Sequence, residues 1–304
     1  MAAIAVEAWR RTATGCFGVK VLVFGKTGQV ARELARLCPS DIMATFLGRG
    51  QVNLANPRLC GDVIGRLQPD AVINAAAWTK VDLAERHEPD ALVINGDAPG
   101  AMAAVCARHS IPFLHLSTDY VFDGAGNKPF RPDDGTAPLN AYGRTKLAGE
   151  TAVLAAGGRH LILRTSWIVS SHGTNFVKTM LRLGHERPSL NVVADQVGAP
   201  TPAASLAAAL WHAALCMAKG APGGIHHFAG RPNISWADFA RTIFSTAGVA
   251  CEVCDIATSD YPTLAQRPLN SRLDCSSFCS AFGLPRPDWR EGLTTILKDL
   301  GAIA

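Results

Sequence analysis

The patterned part of the chain opens with a short apolar strand that is followed at once by glycines and then by helix-forming residues. The segment Val19–Leu34 reads VKVLVFGKTGQVAREL. Glycines let the backbone approach a diphosphate closely, and the amino terminus of a helix presents free N–H groups to its negative charge. Ala31 takes the position of the last glycine of the usual pattern and still permits close helix packing. The arrangement is typical of the first unit of a dinucleotide-binding domain.

Apolar strands and helix-forming segments alternate through the first half of the chain. This rhythm is typical of a parallel sheet covered on both faces, so we predict a doubly wound α/β fold of the Rossmann type. Loops at the carboxyl ends of such strands hold the ligand. The predicted strands are Val19–Phe24, Ile42–Leu47, Ala71–Asn74, Phe113–Ser117 and His160–Arg164, and the predicted helices are Gln29–Leu37, Pro57–Leu67, Pro89–Arg108 and Ala141–Ala155.

After Thr165 the alternation gives way to Pro- and Gly-rich connections between helices. We predict a dinucleotide-binding domain at residues 19–165 and a smaller α/β carboxyl-terminal lobe for the substrate at residues 166–304, with chain crossovers between the two left open. Residues 1–18 are interpreted as a disordered extension or an over-long gene start. The predicted helices of the lobe are Asn175–Leu183, Ala203–Met217, Ser235–Thr246 and Asp288–Leu300.

The composition argues against two classes of partner. A net charge of +4 over 304 residues suits anionic small molecules, but the chain lacks the dense Lys and Arg clusters of nucleic-acid-binding proteins. No apolar run is long enough to span a membrane. We therefore expect neither a nucleic-acid nor a membrane partner.

The nine cysteines do not form a recognisable metal or disulfide framework. Cys251 and Cys254 lie in a segment that we expect to be extended, where positions three apart point to opposite faces, so no metal site is predicted there. An odd number of cysteines without a secretory signal indicates a reducing cytoplasm. His226 and His227 lie in a predicted strand, Gly224–Phe228, and are expected to pack in the core.

A tyrosine and a lysine stand four residues apart on a predicted helix. Tyr142 and Lys146 then share one helix face, and we expect the lysine ammonium to lower the pKa of the phenol. A phenol normally titrates near pH 10 and needs such a shift for acid-base catalysis at neutrality. Thr118, or alternatively Ser117, ends the preceding strand and would help to hold a substrate carbonyl oxygen. The pattern predicts a hydride-transfer site.

Seven segments together resemble the dTDP-4-dehydrorhamnose reductases, a family of extended short-chain dehydrogenases/reductases. The resemblance covers residues 19 to about 300. It implies reduction of the 4-keto group of the nucleotide sugar dTDP-4-dehydro-L-rhamnose by NADPH or NADH, in a monomer or homodimer. The segments are Phe24–Val30 (FGKTGQV), Asn74–Thr79 (NAAAWT), Ser117–Gly124 (STDYVFDG), Tyr142–Glu150 (YGRTKLAGE), Arg164–Trp167 (RTSW), Asp195–Thr201 (DQVGAPT) and Arg267–Leu273 (RPLNSRL).

The resemblance also implies roles for individual residues. Tyr142 would protonate the C4 oxygen, Lys146 would lower the tyrosine pKa and hold the nicotinamide ribose, and Thr118 would orient the carbonyl. Asp119 and Trp167 would line the sugar site. Arg267 would either bind the substrate diphosphate or brace the smaller lobe. The implied cofactor-binding residues are Gly25, Lys26, Thr27, Gly28, Gln29, Val30, Arg49, Asn53, Leu54, Ala75, Ala76, Ala77 and Thr79, together with Tyr142 and Lys146.

The chain departs from the family pattern at three points. Asn53 replaces a usual acidic residue, which puts the adenine contact in doubt. Gly48-Arg49 follows the second strand where some members have an aspartate for the ribose 2′-OH, and an arginine suits a 2′-phosphate, so NADPH is at least as favoured as NADH. Glu33 matches one glutamate of a magnesium site at a dimer interface, but the position of another is Ala204, which puts magnesium in doubt.

Three alternatives remain open from the sequence. The first is a nucleotide-sugar 4,6-dehydratase, which carries a glutamate after the aspartate because elimination of water needs an additional acid and base. Tyr120 follows Asp119 here, so reduction is favoured over dehydration. The chain also resembles the NADP-binding regulatory beta subunit of methionine adenosyltransferase, although retention of Thr118, Tyr142 and Lys146 favours catalysis. A reductase of another nucleotide 4-keto-6-deoxysugar is the third alternative.

Overall fold

A computed structural model describes residues 18–304. The predicted extension at residues 1–18 lies outside the described residues, apart from Gly18. The strands are β1 (Val19–Phe24), β2 (Ile42–Leu47), β3 (Ala71–Asn74), β4 (Phe113–Thr118), β5 (His160–Thr165), β6 (Ile168–Val169), β7 (Ser189–Val193), β8 (Val197–Gly198), β9 (Thr201–Pro202), β10 (Gly224–His227), β11 (Ile234–Ser235) and β12 (Glu252–Ile256).

Helices connect these strands and cover the sheet. The α-helices are α1 (Gln29–Arg36), α2 (Pro57–Leu67), α3 (Val81–Ala84), α4 (Glu88–Leu92), α5 (Ala98–Arg108), α6 (Ala141–Ala155), α7 (Phe176–Glu186), α8 (Ala203–Ala218), α9 (Trp236–Ala247), α10 (Ser276–Phe282) and α11 (Trp289–Asp299). None of the helices within residues 18–304 is long and apolar enough to cross a lipid bilayer.

A six-stranded parallel sheet forms the centre of the molecule, in the order β10-β5-β4-β3-β1-β2. The predicted doubly wound α/β fold is therefore confirmed. The strand order reverses between β1 and β3, and in such sheets ligands bind outside the carboxyl ends of the strands at this reversal. The turn after β1 and the loop after β3 consequently face one crevice.

Each face of the sheet carries its own apolar core. On one face α1 and α8 pack together, and the indole nitrogen of Trp211 donates a hydrogen bond of 3.0 Å to the carbonyl of Leu34. On the other face α2 and α5 cover β1, β3 and β4 with side chains such as Ile64 and Met102. His227 and the half-buried His226 pack on β10, as predicted for core histidines.

The second half of the chain contributes to both parts of the molecule. Strand β10 adds the outer strand next to β5, and α8 packs against α1, so the chain returns to the main sheet after Thr165. Helices α7, α9 and α11 form a third core around Phe239 and Trp289, next to the pair β7-β12. The division at residue 165 remains a prediction.

The predicted helix Pro89–Arg108 is interrupted in the structure, so that prediction was wrong in its middle part. A π-helical turn at Val93–Asp97 separates α4 from α5. Pro99 has no N–H to donate to the carbonyl four residues earlier, which breaks the regular ladder. The turn lets the Asn95 side chain accept the N–H of Trp78 at 2.8 Å and donate to the Thr145 hydroxyl at 3.1 Å. It thereby ties the loop after β3 to α6.

Candidate active site

Tyr142 and Thr118 meet at the carboxyl edge of the sheet. Thr118 ends β4, and Tyr142 lies in the first turn of α6, where the Thr118 side chain is close enough to its phenol to influence the pKa of that group. The ring of Tyr120 stands edge-on to that of Tyr142, with centroids 5.6 Å apart. A Cβ at Gly143 would lie 2.2 Å from the carbonyl oxygen of Tyr120, so only glycine lets the helix approach this closely.

Ser117, the alternative to Thr118, is turned away from the phenol. Its hydroxyl donates a short hydrogen bond to Glu150, whose carboxylate also receives the Arg164 guanidinium at 2.7 Å. All three side chains are buried. Because consecutive side chains of a strand point to opposite faces, only Thr118 reaches Tyr142.

The predicted contact between Lys146 and the phenol is not present in this structure. The Lys146 nitrogen lies 3.1 Å from His115 Nε2 and donates to the carbonyl of Leu116 at 2.7 Å. Burial raises the pKa of Tyr142 to about 12, although the Thr118 hydrogen bond opposes the shift. The expectation that Lys146 lowers the pKa of Tyr142 is not met in this structure, because the lysine is engaged by His115 and Leu116.

The glycine turn after β1 approaches the loop after β3 closely. Gly25 has φ +121°, and a Cβ on it would lie 3.3 Å from the backbone of Ala75. Gly28 precedes α1, no side chain caps the helix, and a Cβ on Gly28 would meet nothing within 4 Å. An uncapped helix amino terminus with open space before it fits a diphosphate group. The neighbouring predicted residues Lys26, Thr27, Ala77 and Thr79 are exposed, and Ala76 is half-buried.

Two predicted cofactor residues of α1 face the protein instead of the crevice. The side-chain oxygen of Gln29 accepts hydrogen bonds from Ser170 at 2.9 Å and from Asn175 at 2.8 Å, which joins α1 to the start of α7. Val30 is buried in the core. Val30 can therefore contact a cofactor only through its backbone, and the Gln29 side-chain oxygen is already occupied.

Two exposed cations stand beside the carboxyl ends of β1 and β2. Arg49 follows Gly48 in an exposed turn, and a Cβ on Gly48 would lie 3.4 Å from the Cβ of Lys26. Asn53 is exposed and accepts the N–H of Ala55 at 3.1 Å, whereas Leu54 is buried. Lys26 thus accompanies Arg49 at the place where the sequence predicts a ribose 2′-phosphate.

Asp119 is a buried carboxyl next to the Thr118 hydroxyl. Thr118 donates to its Oδ1 at 3.0 Å, and Oδ2 has no hydrogen-bond partner among the described residues. Burial raises the pKa of Asp119 to about 6, while hydrogen bonds from Ser271 and Thr118 oppose the shift. A buried unpaired oxygen of this kind is suited to receive a ligand hydroxyl.

Trp167 lies beyond β5 with φ +47°, an uncommon backbone conformation for a large side chain. Its ring is half-buried and stacks on Trp236 at the start of α9. A Cβ at Gly198 would lie 2.8 Å from the Trp167 ring, so β8 covers another part of the indole. The indole is therefore held by α9 and β8.

Arg267 forms an ion pair with Asp82 of α3, at 2.5 Å. Asp82 also accepts the N–H of Ala265 at 3.0 Å. The Asn140 side chain caps α6 and donates to the carbonyl of Gln266 at 2.8 Å. The loop that carries Arg267 is thus fixed to the main domain next to Tyr142, which supports the bracing role and leaves binding of the diphosphate as a prediction.

Sequence reasoning missed several side chains that hold this site together. His115, Glu150 and Arg164 lie within the quoted motifs or beside them, but their partners are distant in sequence. The available signal for Glu150 was its position four residues after Lys146, which places a second charged side chain on the same face of the predicted helix. Nothing in the sequence pattern pointed to Asp82 or Trp236.

Glu33 and Ala204, on which the magnesium expectation depended, line one surface cavity. The Glu33 carboxylate is buried, pairs with Arg36 at 2.7 Å and lies 3.4 Å from His172 Nε2. Within residues 18–304, no group of three or more His, Cys, Asp or Glu side chains is arranged to hold a metal ion.

Known proteins resemble the chain over almost its whole length. The model of the RmlD substrate binding domain family matches residues 19–302. A dTDP-4-dehydrorhamnose reductase of Sinorhizobium fredii is 42% identical over 280 residues, which cover 90% of this chain and 95% of the relative. The enzyme of the same name from Escherichia coli K12 is 40% identical and covers 93% of this chain and 98% of the relative.

Solved structures show the same correspondence. The dTDP-4-dehydrorhamnose reductase of Bacillus anthracis in complex with NADP superposes with a TM-score of 0.87 and 32% identity, covering 93% of this chain and 99% of that one. A structure of the Clostridium acetobutylicum reductase gives the same TM-score, identity and coverage. The WbmH enzyme of Bordetella bronchiseptica, in complex with NAD+, shares only 17% identity and supports the fold alone.

Proposed function

We propose a reaction for this chain from the premise that it belongs to the RmlD substrate binding domain family, which its match over residues 19–302 establishes. The chain is an NAD(P)H-dependent oxidoreductase of that family. The reaction is reduction of the 4-keto group of dTDP-4-dehydro-L-rhamnose to the alcohol of dTDP-L-rhamnose. The observation that carries it is the contact of Tyr142 with Thr118 at the sheet edge, next to the glycine turn.

Tyr142 supplies the proton of this reaction. A nicotinamide cofactor, when bound, supplies the hydride that forms the new C–H bond at C4. Tyr142 Oη gives its proton to the former carbonyl oxygen. The Thr118 hydroxyl turns from Asp119 Oδ1 to donate its hydrogen bond to that oxygen and orients it. Burial keeps the phenol protonated at neutral pH, which is the state that a general acid needs before the reduction.

Lys146 binds the nicotinamide ribose in this proposal. To do so its amine has to leave the hydrogen bonds that it makes with His115 and Leu116 in the cofactor-free protein. An ammonium group beside the phenol then stabilises the tyrosinate that forms as the proton leaves. Lys146 therefore assists after cofactor binding and not before it.

The pair of exposed cations at the ends of β1 and β2 supports NADPH as the preferred cofactor. A 2′-phosphate carries about two negative charges near neutral pH and forms charge-assisted hydrogen bonds with Arg and Lys. Arg49 and Lys26 stand where such a group would lie, next to the Gly48 turn. Gly25 and Gly28 leave room for the diphosphate.

Asp119, Trp167 and Arg267 form the sugar-nucleotide side of the site. The unpaired Oδ2 of Asp119 accepts a sugar hydroxyl, and the half-buried indole of Trp167 offers an apolar face to the sugar ring. Arg267 binds the substrate diphosphate while it also pairs with Asp82. This assignment places the substrate between residues 19–165 and the predicted substrate lobe at residues 166–304.

The test is oxidation of NADPH and of NADH by the full chain, with dTDP-4-dehydrorhamnose generated in situ. We expect turnover that depends on the sugar and is lost in Tyr142→Phe, together with an alcohol product of the mass of dTDP-L-rhamnose. A protein that binds NADPH tightly but turns over neither this sugar nor other nucleotide 4-keto-6-deoxysugars would contradict the proposal. That result would favour a cofactor-binding regulatory subunit.

We propose the cytoplasm as the place of this reaction. The cysteines of the described residues are all free thiols, which fits a reducing compartment. A monomer or homodimer stays a prediction, and sedimentation of the purified chain tests it.

A further inference from the structure

His115 is a buried imidazole with a polar partner at each ring nitrogen. Asn74 Nδ2 lies 3.1 Å from Nδ1, and Lys146 Nζ lies 3.1 Å from Nε2. The ring also stacks against Phe113, with planes 13° apart. Asn74, His115 and Lys146 are each at most 2% exposed, so water does not take part in these contacts.

The His115 ring is neutral, because burial holds its pKa well below the usual range. A neutral imidazole carries one N–H, so one ring nitrogen donates a hydrogen bond and the other accepts one. Which nitrogen donates is decided by the groups that face them.

Asn74 fixes this choice. Its Oδ1 accepts the backbone N–H of Ala76 at 3.2 Å, which turns the amide NH₂ group toward His115. Nδ1 then accepts, and the proton lies on Nε2, facing Lys146. Turning the Asn74 amide around would set its NH₂ group against the Ala76 N–H, with two donors facing each other in a buried place.

An Nε2–H group needs an acceptor, and the atom that faces it is Lys146 Nζ. An ammonium has no lone pair, whereas an amine can accept this bond and still donate to the carbonyl of Leu116. The only arrangement that satisfies every group runs in one direction: Ala76 N–H to Asn74, Asn74 to His115, His115 to Lys146, and Lys146 to Leu116.

We propose that His115 is a positioning residue that holds Lys146 as an uncharged amine, withdrawn from Tyr142, in the arrangement seen here. The consequence for catalysis rests on the proposed function: without a cation beside it, the phenol keeps its proton until the cofactor is in place. Lys146 becomes an ammonium only when it leaves His115 and takes up a proton from solvent.

The surroundings of Lys146 act on its pKa in opposite directions. Burial lowers the pKa of Lys146 to about 8, and Glu150, one turn later on α6, opposes the shift. The Glu150 carboxylate is itself held by Arg164 of β5 and by the Ser117 hydroxyl of β4. Tyr142, one turn earlier on α6, is an uncharged phenol at neutral pH. The hydrogen bond from His115 lowers the lysine pKa further, because only the amine can accept it.

Nuclear magnetic resonance of the cofactor-free full chain tests the proposal directly. In ¹⁵N-histidine-labelled protein, with the His115 signals assigned through bonds to its backbone, we expect the Nε2–H form. In ¹³Cε-lysine-labelled protein we expect Lys146 to titrate at or below neutral pH, separately from the exposed lysines. An Nδ1–H ring, or a Lys146 that titrates with the exposed lysines, would overturn the proposal.

Asn74→Asp provides a second test, because its carboxylate still accepts the Ala76 N–H but can no longer donate to His115. We expect the ring to change to Nδ1–H and the Lys146 pKa to rise by at least about one unit, since Nε2 now accepts from an ammonium. Asn140→Asp is the control. It adds a carboxylate at the amino terminus of α6, the helix that carries Lys146, but it does not contact His115 and should leave the His115 tautomer unchanged. An unchanged tautomer in folded Asn74→Asp counts against the proposal.

These measurements separate the two proposals from each other. The spectra need neither cofactor nor turnover, so a failed reductase assay leaves the tautomer and the lysine titration as they are. Conversely, an active reductase with an Nδ1–H ring would retain the proposed function and remove His115 from it.

Discussion

The indole of Trp167 stacks on the indole of Trp236, with ring centroids 3.5 Å apart and planes 11° apart. Trp167 follows β5 of the main sheet, and Trp236 begins α9 of the smaller lobe, so the pair joins the two parts of the chain beside the site. The ring of Trp236 in turn packs against that of Phe176, with centroids 4.5 Å apart. A residue expected to line the sugar pocket is thus positioned by a partner that no sequence motif indicated.

Trp167→Ala tests the sugar-binding role. We expect a higher KM for the sugar nucleotide and a nearly unchanged Kd for the cofactor, because the proposed function assigns the indole to the sugar and not to the cofactor. Trp236→Ala is the companion variant, since it removes the stacking partner but retains the Trp167 indole, so a smaller rise in KM than in Trp167→Ala is expected. If Trp167 only fills space, its loss costs about 3 to 5 kcal/mol of stability with an unchanged KM. Kinetics and thermal melting of both variants decide between these results.

Tyr142→Phe should retain the fold and the cofactor affinity but lower kcat by roughly 10² to 10⁴, the usual contribution of a positioned general acid. Tyr120→Phe is the control, because that ring packs edge-on against Tyr142. Steady-state kinetics and cofactor fluorescence titration measure the two effects. Turnover near that of the wild type in Tyr142→Phe would exclude the tyrosine as proton donor.

Arg49→Ala should weaken NADPH binding about tenfold or more and leave NADH binding almost unchanged, because one charge-assisted hydrogen bond to the 2′-phosphate is lost. Lys26→Ala should show the same selectivity. Arg58→Ala, at an exposed position in α2, controls for a general loss of positive charge. Titration of both cofactors into each protein is the measurement, and equal losses for NADPH and NADH would make Arg49 purely structural.

Asp119→Asn should stabilise the protein at neutral pH. The folded-state pKa of Asp119 is raised to about 6 from an ordinary value of 3.8, so the folded form prefers the protonated carboxyl. Its favourable contribution is fully present below the unfolded pKa and is lost as the pH rises through about 6. The side-chain amide of the Asp119→Asn variant does not ionise, so the variant does not lose this stability as the pH rises.

The gain in stability is therefore at most about 3 kcal/mol at neutral pH and disappears on acidification toward pH 4. Thermal melting as a function of pH measures it, with Asp133→Asn as the control because Asp133 is exposed. Sugar affinity should fall in Asp119→Asn, since the amide has only one acceptor oxygen and replaces the other with an NH₂ donor. A melting difference that does not change with pH would show that Asp119 does not titrate as described.

Arg267→Ala and Asp82→Ala separate binding from bracing. Both variants break the ion pair between the loop and α3, and both should lose a similar amount of stability. If Arg267 also holds the diphosphate, Arg267→Ala raises the KM for the sugar nucleotide well above the value in Asp82→Ala. Equal KM values in the two variants would leave Arg267 with the bracing role alone.

The sequence alone determined the local architecture, because the signals are local. The valine-rich strand before Gly25, the glycine turn and the helix after it follow from residues within a few positions of one another. The spacing of Tyr142 and Lys146 likewise predicts that both lie on one helix, and the sequence predicts Thr118, with Ser117 as the alternative, at the end of the neighbouring strand. The family resemblance then supplied the reaction.

Only the tertiary structure decided what these side chains touch. Lys146 meets His115, which lies 31 positions earlier and on another element, instead of the phenol four positions away. The pKa of Tyr142 rises because burial depends on every segment packed around the ring, which no spacing in the sequence encodes. Periodicity determines the direction of a side chain from its own element, but the partner and the local dielectric are set by elements that the fold brings from elsewhere in the chain.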